Sequence, residues 1–143
     1  MKRIFALLLL TLSISYTGCG SSGPAPVEKL PGRWYGRMVV DTEAVAGKLK
    51  PDQIAQLESM EMGFEFAADG AMVLTAFQGD QPQDSLGTWE LVSQDANLLK
   101  IRSHEKGGEP KDINIEFDGD DTFYMPLKTE VADIGAMRFE RVR

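Results

Sequence analysis

The chain is poor in the residues that most often carry chemistry. It has one cysteine and one histidine. A lone thiol makes no internal disulfide and no thiolate zinc site, so the fold has to stand on its core. One histidine with scattered carboxylates is no metal set, and no Ser-His-acid arrangement follows from the spacing. We therefore expect no enzyme, no metal and no cofactor. Basic residues are also scarce, 15 Lys and Arg against 22 Asp and Glu, for a formal charge of −7. That balance argues against nucleic acid and against docking on anionic lipid through a basic patch. The apolar stretch Ile4 to Leu12 is too short to span a bilayer.

That stretch has the length of a signal-peptide core, and Lys2 and Arg3 precede it as a positive n-region. Thr17-Gly18-Cys19 closes it. This resembles the lipobox of bacterial lipoproteins, in which cleavage falls before the cysteine and the thiol carries diacylglycerol. Tyr16 stands where the family usually has leucine. The resemblance implies a signal over residues 1–18, acylation of Cys19, and attachment to a membrane through the lipid. Acyl burial contributes about 0.8 kcal/mol per methylene, so two or three chains hold a small domain firmly. Gly20 stands where an Asp would resemble an inner-membrane retention signal, which points to the outer membrane of a bacterial envelope if one is present. The alternatives are an ordinary secretory signal with a stray cysteine and an anchor that is never cut. Loss of Lys2 and Arg3 with the signal makes the mature chain more acidic still. Residues 19–29 read as a flexible tether, stiffened by Pro24 and Pro26.

The domain is expected over 30–143, and it reads as mainly β. Trp34, Met38 and Val40 fall in period two over Gly32–Val40, which predicts a strand. Asp41 or Thr42 can cap a short helix through Leu49, and Pro51 suits the first turn of a second. Strands follow at Met62–Phe66, Ala71–Gln78, Ser85–Gln94, Leu99–His104, Ile113–Phe117, Thr122–Leu127 and Ala136–Val142. Asp69-Gly70 is a tight-turn signal, and Gly79–Asp84 reads as a polar loop. On the fourth strand Trp89 and Leu91 share the apolar face. Eight strands joined mostly by short turns predict an antiparallel up-and-down meander with a helical insertion after the first strand. It closes into a barrel or stays a partly open sheet.

The order of short motifs resembles the bacterial lipocalin-like domains of the calycin group. These motifs are Gly32/Trp34, Phe66 with Asp69-Gly70, Gly87/Trp89, Leu99/Ile101, and Phe139 with Arg141. The resemblance implies that Trp34 packs at the closed end of the barrel under an arginine of the last strand, Arg138 or Arg141. The insertion at 41–60 and the lack of a C-terminal helix depart from the classical members. Gly32-Arg33-Trp34 recurs as Gly87-Thr88-Trp89, a recurrent strand solution that needs no duplication.

His104 shares a strand face with Lys100 and Arg102 and is expected on the surface. Asp118-Gly119-Asp120-Asp121 lacks the ligand spacing of a calcium loop and reads as a hairpin turn. Six methionines follow the initiator, five of them in strands. With the phenylalanines they would either fill the barrel or line a soft pocket for a small apolar ligand. The candidate lining is Met38, Phe64, Phe66, Met72, Met125 and Phe139. Tyr35, Arg37, Phe77 and Tyr124 belong to the opposite faces and offer a partner surface. The functional expectation is a lipid-anchored, non-enzymatic envelope protein that binds a small hydrophobic ligand or an envelope partner. The alternative is an accessory lipoprotein with a solid barrel acting through surface contacts alone.

Overall fold

The computed structural model describes residues 23–79, 81–128 and 133–143. The signal segment and Cys19 lie outside the described residues. The eight strands are β1 (Gly32–Val40), β2 (Glu61–Phe66), β3 (Ala71–Gln78), β4 (Gln81–Asp95), β5 (Leu98–Glu105), β6 (Lys111–Phe117), β7 (Thr122–Lys128) and β8 (Asp133–Arg141). They pair in sequence order, and β8 returns to β1, so the sheet is a closed barrel. Every pairing is antiparallel. Closure leaves no outer edge strand, which resolves the choice between barrel and open sheet.

Period-two alternation decides what goes inside. Trp34, Gly36, Met38 and Val40 of β1 are buried, while Arg33, Arg37 and Val39 are exposed. The same rule buries Phe64 and Phe66, Leu99 and Ile101, Ile115 and Phe117, and Met137 and Phe139. Ser103, the one buried polar side chain among the described residues, donates its hydroxyl to the Lys111 carbonyl at 3.3 Å. No buried side-chain N or O among the described residues lacks a partner.

Two short pieces cover the barrel ends. Within the segment read as a tether, Pro26–Lys29 forms one helical turn, α1. The Val27 N–H donates to Gln94 Oε1, and Val27 packs against the core beside fully buried Leu30. Between β1 and β2 the expected pair of helices is one helix, α2 (Pro51–Glu58). Residues 42–48 form turns instead, though Val45 is still buried. Gly47 adopts φ +72° there, a left-handed position that ends any helix begun at Asp41. Pro51 occupies the first turn of α2, and Gln53 Oε1 accepts the Lys50 N–H at 2.9 Å. Leu49, Ile54 and Leu57 turn toward the core.

One strand expectation needs correction and another a refinement. Gln81–Asp84 is no loop but the start of β4, with Gln78 paired to Gln81. Polar residues suit it because this end of β4 is exposed along its length. Leu91 does share a face with Trp89, since their partners Ile101 and Ser103 are both buried, but Leu91 itself is exposed, and the β4–β5 register shifts just beyond it, between Leu91 and Ser93. A bulge of this kind breaks the alternation that the sequence pattern assumes. No helix among the described residues is long and apolar enough to cross a membrane.

Candidate functional site

The barrel interior divides into a cluster of packed rings at one end, the floor, and a row of methionines beyond it. At the floor, Trp34 Nε1 donates to the Leu30 carbonyl at 2.8 Å. The Arg141 guanidinium lies over the indole, 4.2 Å from its centroid. That settles which arginine meets Trp34. Arg138 pairs with Glu140 instead. Arg141 also donates to the carbonyls of Lys29, Pro31 and Asp120 and to Asp121 Oδ1. Gly32 is fixed by the same group. Its φ is +138°, and a Cβ there would lie 2.5 Å from Arg141 Nη1. Gly87 also sits at a close approach, since its Cβ would meet the His104 carbonyl oxygen at 2.5 Å. Trp89 repeats the Trp34 device by donating to the Ala67 carbonyl at 3.0 Å.

Above Trp34 runs a row of phenylalanines. Phe139 pairs with Phe123 across β7–β8, and Phe123 with Phe117 across β6–β7. The rings of Phe123 and Phe139 stack at 4.7 Å, and Phe117 meets Phe123 edge-on at 5.7 Å. Phe64 joins through Phe66 at 5.1 Å and Phe139 at 5.4 Å. Such offset and edge contacts add about 0.5–1.5 kcal/mol per pair beyond burial.

One step further along the strands lies a row of methionines. Met38 pairs with Met137, and Met137 with Met125. Met62 carries the row onto β2 by a diagonal step: it is paired with Gly36, level with Phe139, and not with Met38. The row crosses four adjacent strands, β2-β1-β8-β7, a span of about 14 Å at ordinary strand spacing. Unbranched thioether side chains deform at little cost, so this part of the wall is soft. Met38, Phe64, Phe66, Met72 and Phe139 of the candidate lining are buried, and Met125 is partly buried. Phe64, Phe66 and Phe139 belong to the ring cluster, Met38 and Met125 to the methionine row, and Met72 lies beside Phe66 on β3.

The methionine row ends at the weakest seam of the barrel. Pairing between β6 and β7 is confined to Glu116–Tyr124 and Phe117–Phe123. Each of the other neighbouring pairs has five or more partners. The Asp118 N–H donates to the Thr122 carbonyl, whereas the Phe117 N–H turns to Asn97. Even-numbered residues of β6 therefore direct their main chain at β7. Continuing the register from Glu116–Tyr124 brings Asn114 opposite Pro126, which has no N–H to donate. A cleft of about 300 Å³ lies outside this point, lined by Leu98, Lys100, Asn114, Ile115, Glu116 and Pro126 among others. Sequence reasoning passed over Pro126, although a proline inside a strand is itself the sign of a local edge.

The outer surface carries the charge. Asp112 accepts from Arg102 at 2.8 Å and pairs with Lys100 at 3.0 Å. The hydrogen bond from Arg102, reinforced by Lys100, holds the Asp112 carboxyl down at about 2. A carboxyl depressed in the folded state stabilises above its unfolded pKa of about 3.9, and that gain is lost as pH falls toward the folded value. Asp112→Asn is therefore expected to lower the urea midpoint at pH 6 relative to wild type. The gap should close between about pH 4 and about pH 2; a gap that stays constant over that window contradicts the linkage. His104 is exposed on the same outer sheet, as expected. On the opposite side a groove of about 510 Å³ is lined by Tyr35, Arg37, Met38, Val39, Arg138 and Glu140. Tyr35 meets Phe77 edge-on at 5.9 Å, and Arg37 pairs with Glu61 at 3.2 Å.

Among the described residues no group of three His, Cys, Asp or Glu side chains is placed to hold a metal ion. The hairpin over Asp118–Asp121 serves the floor: Asp120 pairs with Lys29, and Asp121 with Arg141 and Arg143. The architecture, a closed eight-stranded up-and-down barrel, agrees with a calycin-type fold. No family model, no curated protein and no solved structure matches the chain.

Proposed function

We propose that this protein is a lipid-anchored, non-enzymatic barrel of the bacterial cell envelope that holds a small apolar molecule in its methionine-lined half. The lipocalin-like reading of the fold belongs to the same proposal. The observation that carries it is the contiguous row Met62, Met38, Met137 and Met125 on the inner wall above a floor of packed rings. A wall of deformable side chains over a rigid floor suits an apolar guest of variable shape. The anchor rests on Lys2, Arg3, the apolar stretch after them and Thr17-Gly18-Cys19. Gly20 favours the outer membrane on the same grounds.

Native mass spectrometry of the protein purified from its own host tests the binding claim. A co-purifying apolar molecule released on denaturation is expected. A ligand-free barrel that also fails to take up added fatty acid overturns it. Cys19→Ala is expected to move the protein out of the membrane fraction, and full retention there sinks the anchor.

A second reading has its own support. Trp34, Phe64 and Phe139 are buried together at one end of the barrel, and the groove at Tyr35, Arg37 and Arg138 has the tyrosine and arginine composition of protein-binding hot spots. In that reading the protein is an accessory lipoprotein that works through its outer face. Capture of an envelope protein by wild type, lost in Tyr35→Ala with the apolar guest retained, would favour it.

A further inference from the structure

We propose that the β6–β7 seam is the gate through which a single acyl chain reaches the methionine row. This rests on the ligand-holding reading above and names both its guest and its route. Both barrel ends are covered. At one end Leu30 is fully buried over Trp34, and Arg141 ties the Lys29 and Pro31 carbonyls down. Toward the other end the insertion places Val45 in the core, and Leu49, Ile54 and Leu57 pack against it. A guest that enters through either end has to displace a packed segment. The wall offers an easier way.

Main-chain pairing resists strand separation, and here it lapses. Beyond Glu116–Tyr124 no further β6–β7 pair forms among the described residues, although β6 runs back to Lys111 and β7 on to Lys128. Pro126 is the cause. It stands at the position that would donate to Asn114, and it leaves the β7–β8 ladder intact because its ring nitrogen faces β6. Phe117 and Phe123 pin the closed half of the seam with an edge-on ring contact. The open half is flanked on the inside by fully buried Ile115, opposite Met125, and by Ile113 and Leu127, which like Met125 are partly buried against the core. Met125 is the end of the methionine row, so the slot leads straight along it.

The geometry selects the guest. A slot bounded by two strands and a phenylalanine hinge passes a slender flexible chain and excludes a fused-ring body. A row of about 14 Å at ordinary strand spacing accommodates much of an extended acyl chain. The cleft of about 300 Å³ at Asn114 and Pro126 lies at the outer mouth, where a polar head remains in water. A free fatty acid and one chain of a phospholipid share this chemistry.

Pro126→Val restores the missing donor in a residue that favours strands. The test measures stopped-flow uptake of cis-parinaric acid by the full chain in detergent, with fluorescent phosphatidylcholine in vesicles as the second arm. The association rate for the fatty acid should fall about tenfold in Pro126→Val, with dissociation slowed alike and affinity little changed, because a gate alters rates and not the bound state. Amide exchange at Asp112 and Asn114 should slow in parallel. Transfer from vesicles that is equally slowed identifies phospholipid as a competent source; transfer absent from wild type leaves free fatty acid as the guest. Unchanged association rates in Pro126→Val, with these amides newly protected, overturn the gate and leave the ligand-holding reading standing. If wild type binds neither probe, both fall together.

Discussion

Replacing Arg141 with alanine is expected to destabilise the barrel by about 2–4 kcal/mol, lowering Tm by about 10 °C or more. The guanidinium serves five groups at once. It stacks on Trp34 at 4.2 Å, bonds Asp121 at 3.0 Å, and holds the carbonyls of Lys29, Pro31 and Asp120 at 2.6, 3.0 and 3.1 Å. Its side chain is only 23% exposed, so water reaches it poorly in the folded state and cannot stand in fully for what is removed. Charge-assisted bonds from such a group contribute more than neutral ones, and a partly desolvated cation–π contact adds about 1 kcal/mol. The loss should be local at first. Leu30 and α1 are tied to the barrel through the Lys29 and Pro31 carbonyls, so amide exchange in the 27–34 stretch should accelerate more than in β5. Arg141→Lys keeps the charge but has no planar fork, and it should recover less than half of the loss. Chemical denaturation measures both variants. A cost for Arg141→Ala below about 0.5 kcal/mol, the range of ordinary surface changes, would show that the latch is ornamental.

The barrel was legible because its interior is read out by period two. Trp34, Met38 and Val40, or Ile115 and Phe117, announce a strand and its inner face together. Asp69-Gly70 announces a turn, and Gly70 does take φ +91°. Closure was less legible, because it depends on β8 meeting β1, a contact that no local pattern specifies. The exposure of Leu91 was hidden for a related reason: alternation gave its face, shared with Trp89, but how far the core extends along β4 is no local property. The polar run Gln81–Asp84 looked like a loop because polarity was taken as a sign of irregular backbone. It is a strand whose end stands clear of the core, with Asp84 accepting from Thr75 at 2.7 Å.

The candidate lining was legible as a set of apolar residues but not as two materials. Sequence spacing puts Phe139 and Met137 on one face of β8; only the pairing to β7 and β1 sorts them into a ring cluster and a methionine row. Pro126 was visible throughout. What sequence could not supply was the parity of β6 and β7, which decides whether a proline nitrogen faces a ladder that needs it. The arginine over Trp34 was narrowed to Arg138 or Arg141, two residues three apart on one strand. Alternation then points them to opposite faces, and the inner one is Arg141.

Gly36→Ala is expected to cost about 2–3 kcal/mol, at the upper end for one added methyl group. A Cβ on Gly36 would lie 2.4 to 2.8 Å from three atoms of the Phe139 ring. A flexible neighbour would move aside. Phe139 cannot, because it is fully buried, stacked on Phe123 at 4.7 Å and in contact with Phe64 at 5.4 Å. The glycine is thus the space that the ring occupies, and the two positions should be strongly coupled. Phe139→Leu alone should cost about 1–2 kcal/mol through lost ring contacts and a partial void. In the double variant the methyl group fills part of that void. The combined cost should fall short of the sum by about 1–2 kcal/mol, well outside the error with which independent sites add. Additivity within about 0.5 kcal/mol would mean that the ring relaxes away from β1, and the floor would then be softer than its packing implies. The same pair bears on function, because Gly36 lies on β1 between Trp34 and Met38, where the rigid floor meets the methionine row. Loosening the floor in Phe139→Leu should let an acyl guest sink deeper, so its affinity should rise; in the double variant, with the space refilled, it should return toward wild type.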